Sequence, residues 1–171
     1  METISIQETW NIYRLGLKKP LRELVAAITG QGFEIRFITP CVPDLLSLEK
    51  DLKFNDIEED VSFALVSPDD LGLKKGWTRK QYLDAALGNG LILPLSGDIL
   101  EILGSGRYQP VKERSILEVG MMPIHIGTEF IYFVVGCSED RKYLSNHNGN
   151  LEQRWEYNTH PYRKHLFRIQ N

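Results

Sequence analysis

The sequence predicts an α+β fold, with two or three helices packed on a mostly antiparallel sheet and a β-rich C-terminal half. Two observations lead to this prediction. Apolar residues recur with a helical period in the first half, whereas most of the chain after Leu91 alternates or runs apolar in short stretches between turn residues. We expect about five to seven strands. The fold would be a single domain over residues 1–171, with a helix-rich subregion 1–90 and a β-meander at 91–171.

The bulk composition is that of an ordinary globular protein. Of the 171 residues, 42% are hydrophobic and 25% are charged, and the net charge is −3. Such a balance argues against a protein whose whole surface binds polyanions. The opening METISIQETW is polar, and no apolar run reaches the ~18 residues needed to cross a bilayer. We therefore expect a cytoplasmic protein of bacterial or phage origin.

The first half of the chain predicts two helices between strands. A short strand at residues 10–14 precedes KPLRELVAAITG, in which Pro20 suits the first helical position and Gly30 the end. The apolar stripe of this helix consists of Leu21, Leu24, Val25 and Ile28. FEIRFIT alternates as a half-buried strand, PDLLSLEKDL returns to helical spacing, and VSFALVS predicts a buried strand.

A well-delimited helix follows in LGLKKGWTRKQYLDAALGNGL. Ser67 and Asp70 form a capping box on a single preceding turn. Thr78 caps the helix itself, with Gln81 reaching back to it and Trp77 packing on Tyr82 as a hydrophobic staple. The helix is expected to run to about Leu87, to end at Gly88 or Gly90, and to keep its basic end in solvent. Its predicted buried side consists of Tyr82, Leu83, Ala86 and Leu87.

The pattern turns to β after Leu91. LILPLSGDILEIL predicts two short strands separated by a turn at residues 96–98, and a polar loop follows. ILEVGMMPIHI and EFIYFVVGC predict strands joined by a tight turn at Gly127 and Thr128. RKYLSNHNGN predicts a strand closing into an Asn-Gly turn, and KHLFRIQ predicts a final strand.

The standard signatures of catalysis and metal binding are missing from the sequence. The four histidines are not spaced as ligand pairs, and Ser96 and Ser105 lack the strand and helix context of a nucleophile elbow. We therefore predict no catalytic, cofactor or metal site. Cys41 and Cys137 have apolar neighbours and are expected to be buried, reduced thiols.

Three functional hypotheses remain. The leading one is a non-catalytic protein-binding or regulatory module, and its candidate contacts lie in a tail rich in aromatic and basic residues: Trp155, Tyr157, Tyr162, Arg163 and Lys164. The second is a nucleic-acid-associated protein that uses the same tail and the cations near the Thr78 helix: Lys74, Lys75, Arg79 and Lys80. The third is an enzyme without a standard motif. It would need a pocket with convergent polar groups, for which we would inspect Glu101, Arg107, Glu118 and His125.

A set of short motifs is distributed along nearly the whole chain. They consist of Trp10, Ile12, Leu15, Gly16, Gly32, Phe33, Glu34, Ile35, Leu71, Gly72, Gly76, Thr78, Ala86, Gly90, Leu91, Pro94, Met121, Pro123, Ile124, Phe133, Val134, Val135, Trp155, Leu166 and Phe167. This pattern resembles a family of small bacterial proteins of unknown function. Where that family often carries Pro-Ala-Glu-Val-Gly-Pro, this chain has PLSGD and lacks the glutamate. The resemblance implies that the Thr78 helix belongs to a fold spanning the chain and is not an appended DNA-binding domain.

Overall fold

The computed structural model describes residues 10–74, 76–108, 115–138, 140–152 and 163–169. Over these residues the predicted α+β class is confirmed, because helices pack on a mixed, mostly antiparallel sheet. The helices are α1 (Leu21–Gly30), α2 (Arg79–Gly88) and α3 (Asp98–Gly104). The strands are β1 (Asn11–Leu15), β2 (Phe33–Ile35), β3 (Glu59–Val66), β4 (Leu91–Ile92), β5 (Ile116–Val119), β6 (Ile124–Ile126), β7 (Glu129–Ser138), β8 (Arg141–Asn148) and β9 (Arg163–Ile169). No helix in these ranges is long and apolar enough to span a membrane.

The described strands form one nine-stranded sheet in the order β1-β3-β9-β5-β7-β8-β2, with β4 beside β9 and β6 beside β7. β5 runs parallel to β9, and β2 runs parallel to β8. The other pairings are antiparallel. The sheet exceeds the predicted strand number because it includes β4 and β6, which have only two and three residues. Since β9 pairs with both β3 and β5, hydrogen bonds join the two halves of the chain in this sheet.

The buried apolar residues form two clusters, and β9 contributes to both. Successive residues of a strand point to opposite faces, and on β9 Leu166 belongs to the larger cluster while Phe167 belongs to the smaller one. The larger cluster includes the buried residues of α1 and α3, and the smaller one includes those of α2. α2 therefore covers one face of the sheet, and α1 and α3 cover the other.

The boundaries of the first helices differ from the prediction. Gly30 lies inside α1, and the turn that ends the helix is completed by Gly32, whose φ of +84° favours glycine. The predicted helix over residues 43–52 is only a 3₁₀ turn, Leu45–Leu48, which begins where the Asp44 side chain accepts a hydrogen bond from the Ser47 N–H. Its leucines still pack into the larger cluster.

The strand predicted from DILEIL is wrong, because these residues form α3. Every residue from Asp98 to Leu103 is buried, so the segment shows no helical alternation of apolar and polar positions. A short continuous apolar run fits a buried strand or a buried helix equally well. Asp98 fixes the start of the helix, because its Oδ2 accepts from the Leu95 N–H at 2.9 Å and its carboxylate pairs with Arg168.

The predicted start of α2 is confirmed. The Gln81 N–H donates to the Thr78 hydroxyl at 3.2 Å, and the Thr78 N–H donates to Gln81 Oε1 at 2.8 Å. The rings of Trp77 and Tyr82 lie 5.1 Å apart as the staple. Leu87, predicted to be buried, is instead 49% exposed because it lies at the solvent side of the last helical turn.

Candidate functional site

Two of the five predicted partner-binding residues, Arg163 and Lys164, lie on β9. Trp155, Tyr157 and Tyr162 lie outside the described residues, as does the side chain of Arg163. Lys164 lies on β9, with its Nζ 3.5 Å from Oδ2 of Asp70. The tail surface therefore stays a prediction.

The basic residues in and before α2 were expected to be in solvent, and Arg79 is not. Lys74 is exposed, and Lys80 is exposed with its Nζ 2.6 Å from Asp84, while Lys75 is not among the described residues. Arg79, expected in solvent, has a side chain only 2% exposed. As the first residue of α2, it turns beneath the helix into the space between α2 and the sheet.

The buried Arg79 side chain ties α2 to the connection between β5 and β6. Its Nη2 donates to the carbonyl oxygens of Val119 and Met121, at 3.0 Å each. Its guanidinium carbon lies 3.5 Å from the centroid of the Tyr132 ring, a desolvated cation–π contact. Burial lowers the pKa of Arg79, and the nearby Tyr132 and Glu118 partly offset this.

Glu118, one of the residues inspected for a catalytic role, lies at the centre of a buried ionic cluster. Its Oε2 is 3.9 Å from Arg79 Nη1 and 3.7 Å from His165 Nδ1, and its Oε1 is 3.5 Å from His147 Nδ1. The side chains of Glu118 and His165 are 1% exposed, but that of His147 is 30% exposed. Tyr82 covers His165 with ring centroids 4.3 Å apart. The cluster thus reaches solvent through His147.

The other residues inspected for catalysis do not join Glu118. The Glu101 carboxylate accepts from the N–H groups of Gly16 and Leu17, at 2.8 and 3.0 Å, and so anchors the turn between β1 and α1. Arg107 is exposed in the turn after α3. His125 is exposed on β6, where it stacks on Phe130 with centroids 4.6 Å apart.

Two exposed apolar side chains lie on or beside the β6–β7 hairpin. Met122 is 53% exposed and Phe130 is 36% exposed. Met122 and His125 both line a pocket of about 350 Å³, and His125 stacks on Phe130. The pocket is otherwise lined by Asp51, Lys53, Leu93, Pro94, Leu95, Ser96, Met121, Pro123 and Ile124. We call Met122, Pro123, His125 and Phe130, with this pocket, the Met122 surface.

The connection that carries Met122 is held in place from two sides. The Gly120 N–H donates to the Leu166 carbonyl at 2.9 Å. A Cβ at Gly120 would lie 2.3 Å from Phe167, so only glycine allows this approach. Arg79 holds the carbonyls on both sides of Gly120. Met121 is buried at 1% exposure while Met122 projects outward.

The sequence contained only weak signals for these features. Glu118 stands out as a charge within the apolar run ILEVG, but nothing in the spacing of Arg79, His147 and His165 links them to it. Of the two cysteines, Cys41 is exposed and Cys137 is half-buried, so the expected burial is wrong for Cys41 and only partial for Cys137. Among the described residues, no group of three or more His, Cys, Asp or Glu side chains is arranged to hold a metal ion.

No protein-family model matches this chain, and neither the curated proteins nor the solved structures contain a significant match to it.

Proposed function

We propose that this protein is a non-catalytic binding module whose partner is another protein, recognised at the Met122 surface. The observation that carries the proposal is the combination of outward apolar side chains with a connection fixed from beneath by Arg79 and Gly120. Exposed apolar side chains that border a pocket are typical of interaction sites. Methionine suits such sites because its flexible side chain adapts to a partner.

The fixed backbone supports recognition in a second way. A surface that is already ordered before binding loses less conformational entropy when the partner arrives. The pocket beside Met122 would take an apolar side chain of the partner, and its wall includes Leu93, Pro94 and Ile124. A nucleic-acid interface would use four cations in and before α2, and one of them, Arg79, is buried. This favours a protein partner.

Affinity capture from lysate of the native cell tests the proposal with three baits. These are the wild-type chain, Met122→Asp, and Ile12→Asp, which places the same charge at an exposed apolar position on the edge strand β1. We expect a protein that is retained by the wild type and by Ile12→Asp but lost with Met122→Asp. If all three baits retain the same proteins, or none retains any, the proposal is wrong. Urea unfolding of each bait checks that the variants are folded.

A further inference from the structure

A second concave surface lies where the buried ionic cluster reaches solvent. It is a groove of about 340 Å³ lined by Arg36, Ile38, Ile116, Val134, Tyr143, Ser145, Asn146 and His147. Tyr143, Ser145 and His147 alternate along β8, so their side chains share one face of the sheet. Glu118 and His165 are paired in register on β5 and β9. A volume of this size suits a small molecule.

His147 connects the groove to the cluster. Its Nδ1 lies 3.5 Å from Oε1 of Glu118, whose side chain is 1% exposed, and its ring meets Tyr132 edge-on at 5.7 Å. The carboxylate favours the tautomer with hydrogen on Nδ1. Because the two ring nitrogens flank Cε1 and their in-plane hydrogen-bonding directions diverge widely, Nε2 is directed away from Glu118. The contact with Glu118 therefore orients the imidazole ring, while 30% of the His147 side chain stays accessible to solvent.

Arg36 brings a positive charge to the groove. Arg36 lies with its guanidinium carbon 5.4 Å from the centre of the Tyr143 ring. Its Nε is 3.0 Å from Glu34, but both side chains are about half exposed, at 42% and 54%. Such an exposed pair is weak. A ligand anion can therefore replace Glu34 as the partner of Arg36.

We infer that this groove binds a small anionic ligand, a carboxylate or a phosphate ester with an apolar body. The anionic group is received by Arg36, with hydroxyl donors from Tyr143 and Ser145, and His147 meets the ligand through Nε2. The apolar body lies on Ile116 and Val134. This site does not depend on the Met122 surface and holds whether or not a protein binds there.

Phenyl phosphate and benzoate test the site, because they share an aromatic body and differ in the anionic group. Each is titrated into the labelled protein at constant ionic strength while the imidazole signals of His147 and His125 are followed by NMR. His125, exposed on β6, is the internal reference. We expect a saturable shift of His147 with at least one compound and a smaller, unsaturated shift of His125. The compound that binds more tightly identifies the anionic group.

Two variants complete the test. Arg36→Gln is expected to weaken binding by about tenfold or more, because a charged hydrogen bond is lost. Arg14→Gln removes a comparably exposed arginine on β1, which lies 2.9 Å from Glu58, and is expected to leave the affinity unchanged. Absence of a saturable His147 shift with both compounds would overturn the inference. An equal affinity in the wild type and Arg36→Gln would do so as well.

Discussion

Arg79 and Tyr132 form a buried stacked pair, with the guanidinium carbon 3.5 Å from the ring centroid. The pair joins α2 to β7 across the sheet face, and the same guanidinium donates to the backbone on both sides of Gly120. The Arg79 side chain therefore contributes both to the packing of α2 on the sheet and to the position of the connection that carries Met122.

Replacement of Arg79 is expected to destabilise the protein strongly. Arg79→Met leaves Glu118 without a cation that is 3.9 Å away and leaves the carbonyls of Val119 and Met121 without their donor. Removal of one partner from a buried ion pair costs about 3–5 kcal/mol in the free energy of unfolding. Arg79→Lys keeps the charge but not the planar donor geometry, so we expect it to recover only part of the loss.

Urea denaturation of these variants measures the effect, with Lys80→Met as the control. Lys80 is the next residue of α2 and pairs with Asp84 on the solvent side, so its loss is expected to change stability little. An Arg79→Met variant that unfolds at the same urea concentration as Lys80→Met would contradict a structural role for the buried guanidinium.

A methyl group at Gly120 is expected to disturb the same connection. Gly120→Ala places a Cβ 2.3 Å from the Phe167 ring and 2.8 Å from the Leu166 carbonyl oxygen. Overpacking of this kind costs about 1–3 kcal/mol. Gly88→Ala is the matched control, because nothing lies within 4 Å of its Cβ and it belongs to α2. That change is expected to be neutral or to stabilise by up to about 1 kcal/mol. Thermal unfolding of both variants compares them, and equal melting temperatures would contradict the proposed close contact.

The Glu101 carboxylate is expected to stabilise the folded protein. The two carboxylate oxygens of Glu101 accept from the N–H groups of Gly16 and Leu17, and Glu101→Gln replaces one of these oxygens with an NH2 group, which cannot accept. A buried N–H left without its acceptor costs about 1–3 kcal/mol. Chemical denaturation should show this loss, whereas Glu58→Gln, at a side chain 53% exposed, should change little. A Glu101→Gln variant as stable as the wild type would rule out the anchoring role.

The ionised Asp70 side chain is expected to contribute to the free energy of unfolding, and this contribution should be lost in acid. Burial acts to raise the pKa of Asp70, but hydrogen bonds from the Ser67 hydroxyl and N–H and the charge of Lys164 outweigh it and lower the pKa below 3.8. A lowered carboxyl pKa stabilises the folded state above the unfolded value, and the contribution is lost as the pH falls through the folded value. The stability difference between wild type and Asp70→Asn should therefore be constant near neutral pH and shrink below pH 3.8.

Denaturation curves at a series of pH values measure this difference. In a Ser67→Ala background, which lacks one hydrogen bond to the carboxylate, the pH-dependent part should be smaller. A difference that grew as the pH fell would have the wrong sign for a carboxyl group with a lowered pKa.

The sequence predicted the features that depend on local chemistry. The capping box at Thr78 and the staple of Trp77 on Tyr82 use residues that are near in sequence, and both are found as expected. The turn at Gly127 and Thr128 also joins β6 and β7 as expected. Such signals need no knowledge of tertiary packing.

The features that depend on tertiary packing could not be predicted in this way. Arg79 looked like a solvated cation at a helix start, because its acceptors on Val119 and Met121 lie 40 and 42 residues away. Asp98 looked like a turn residue because Arg168, its bidentate partner, follows 70 residues later. The cluster around Glu118 arises only when β5 and β9 pair in parallel, and no local pattern specifies that pairing.

The most direct measurement of the central claim uses two adjacent methionines. Met121 is 1% exposed and Met122 is 53% exposed, so mild oxidation followed by mass spectrometry should modify Met122 much faster in the free protein. With the captured partner bound, we expect the oxidation of Met122 to slow markedly while that of Met121 stays slow. Oxidation of Met122 at the same rate with and without the partner would contradict recognition at this surface.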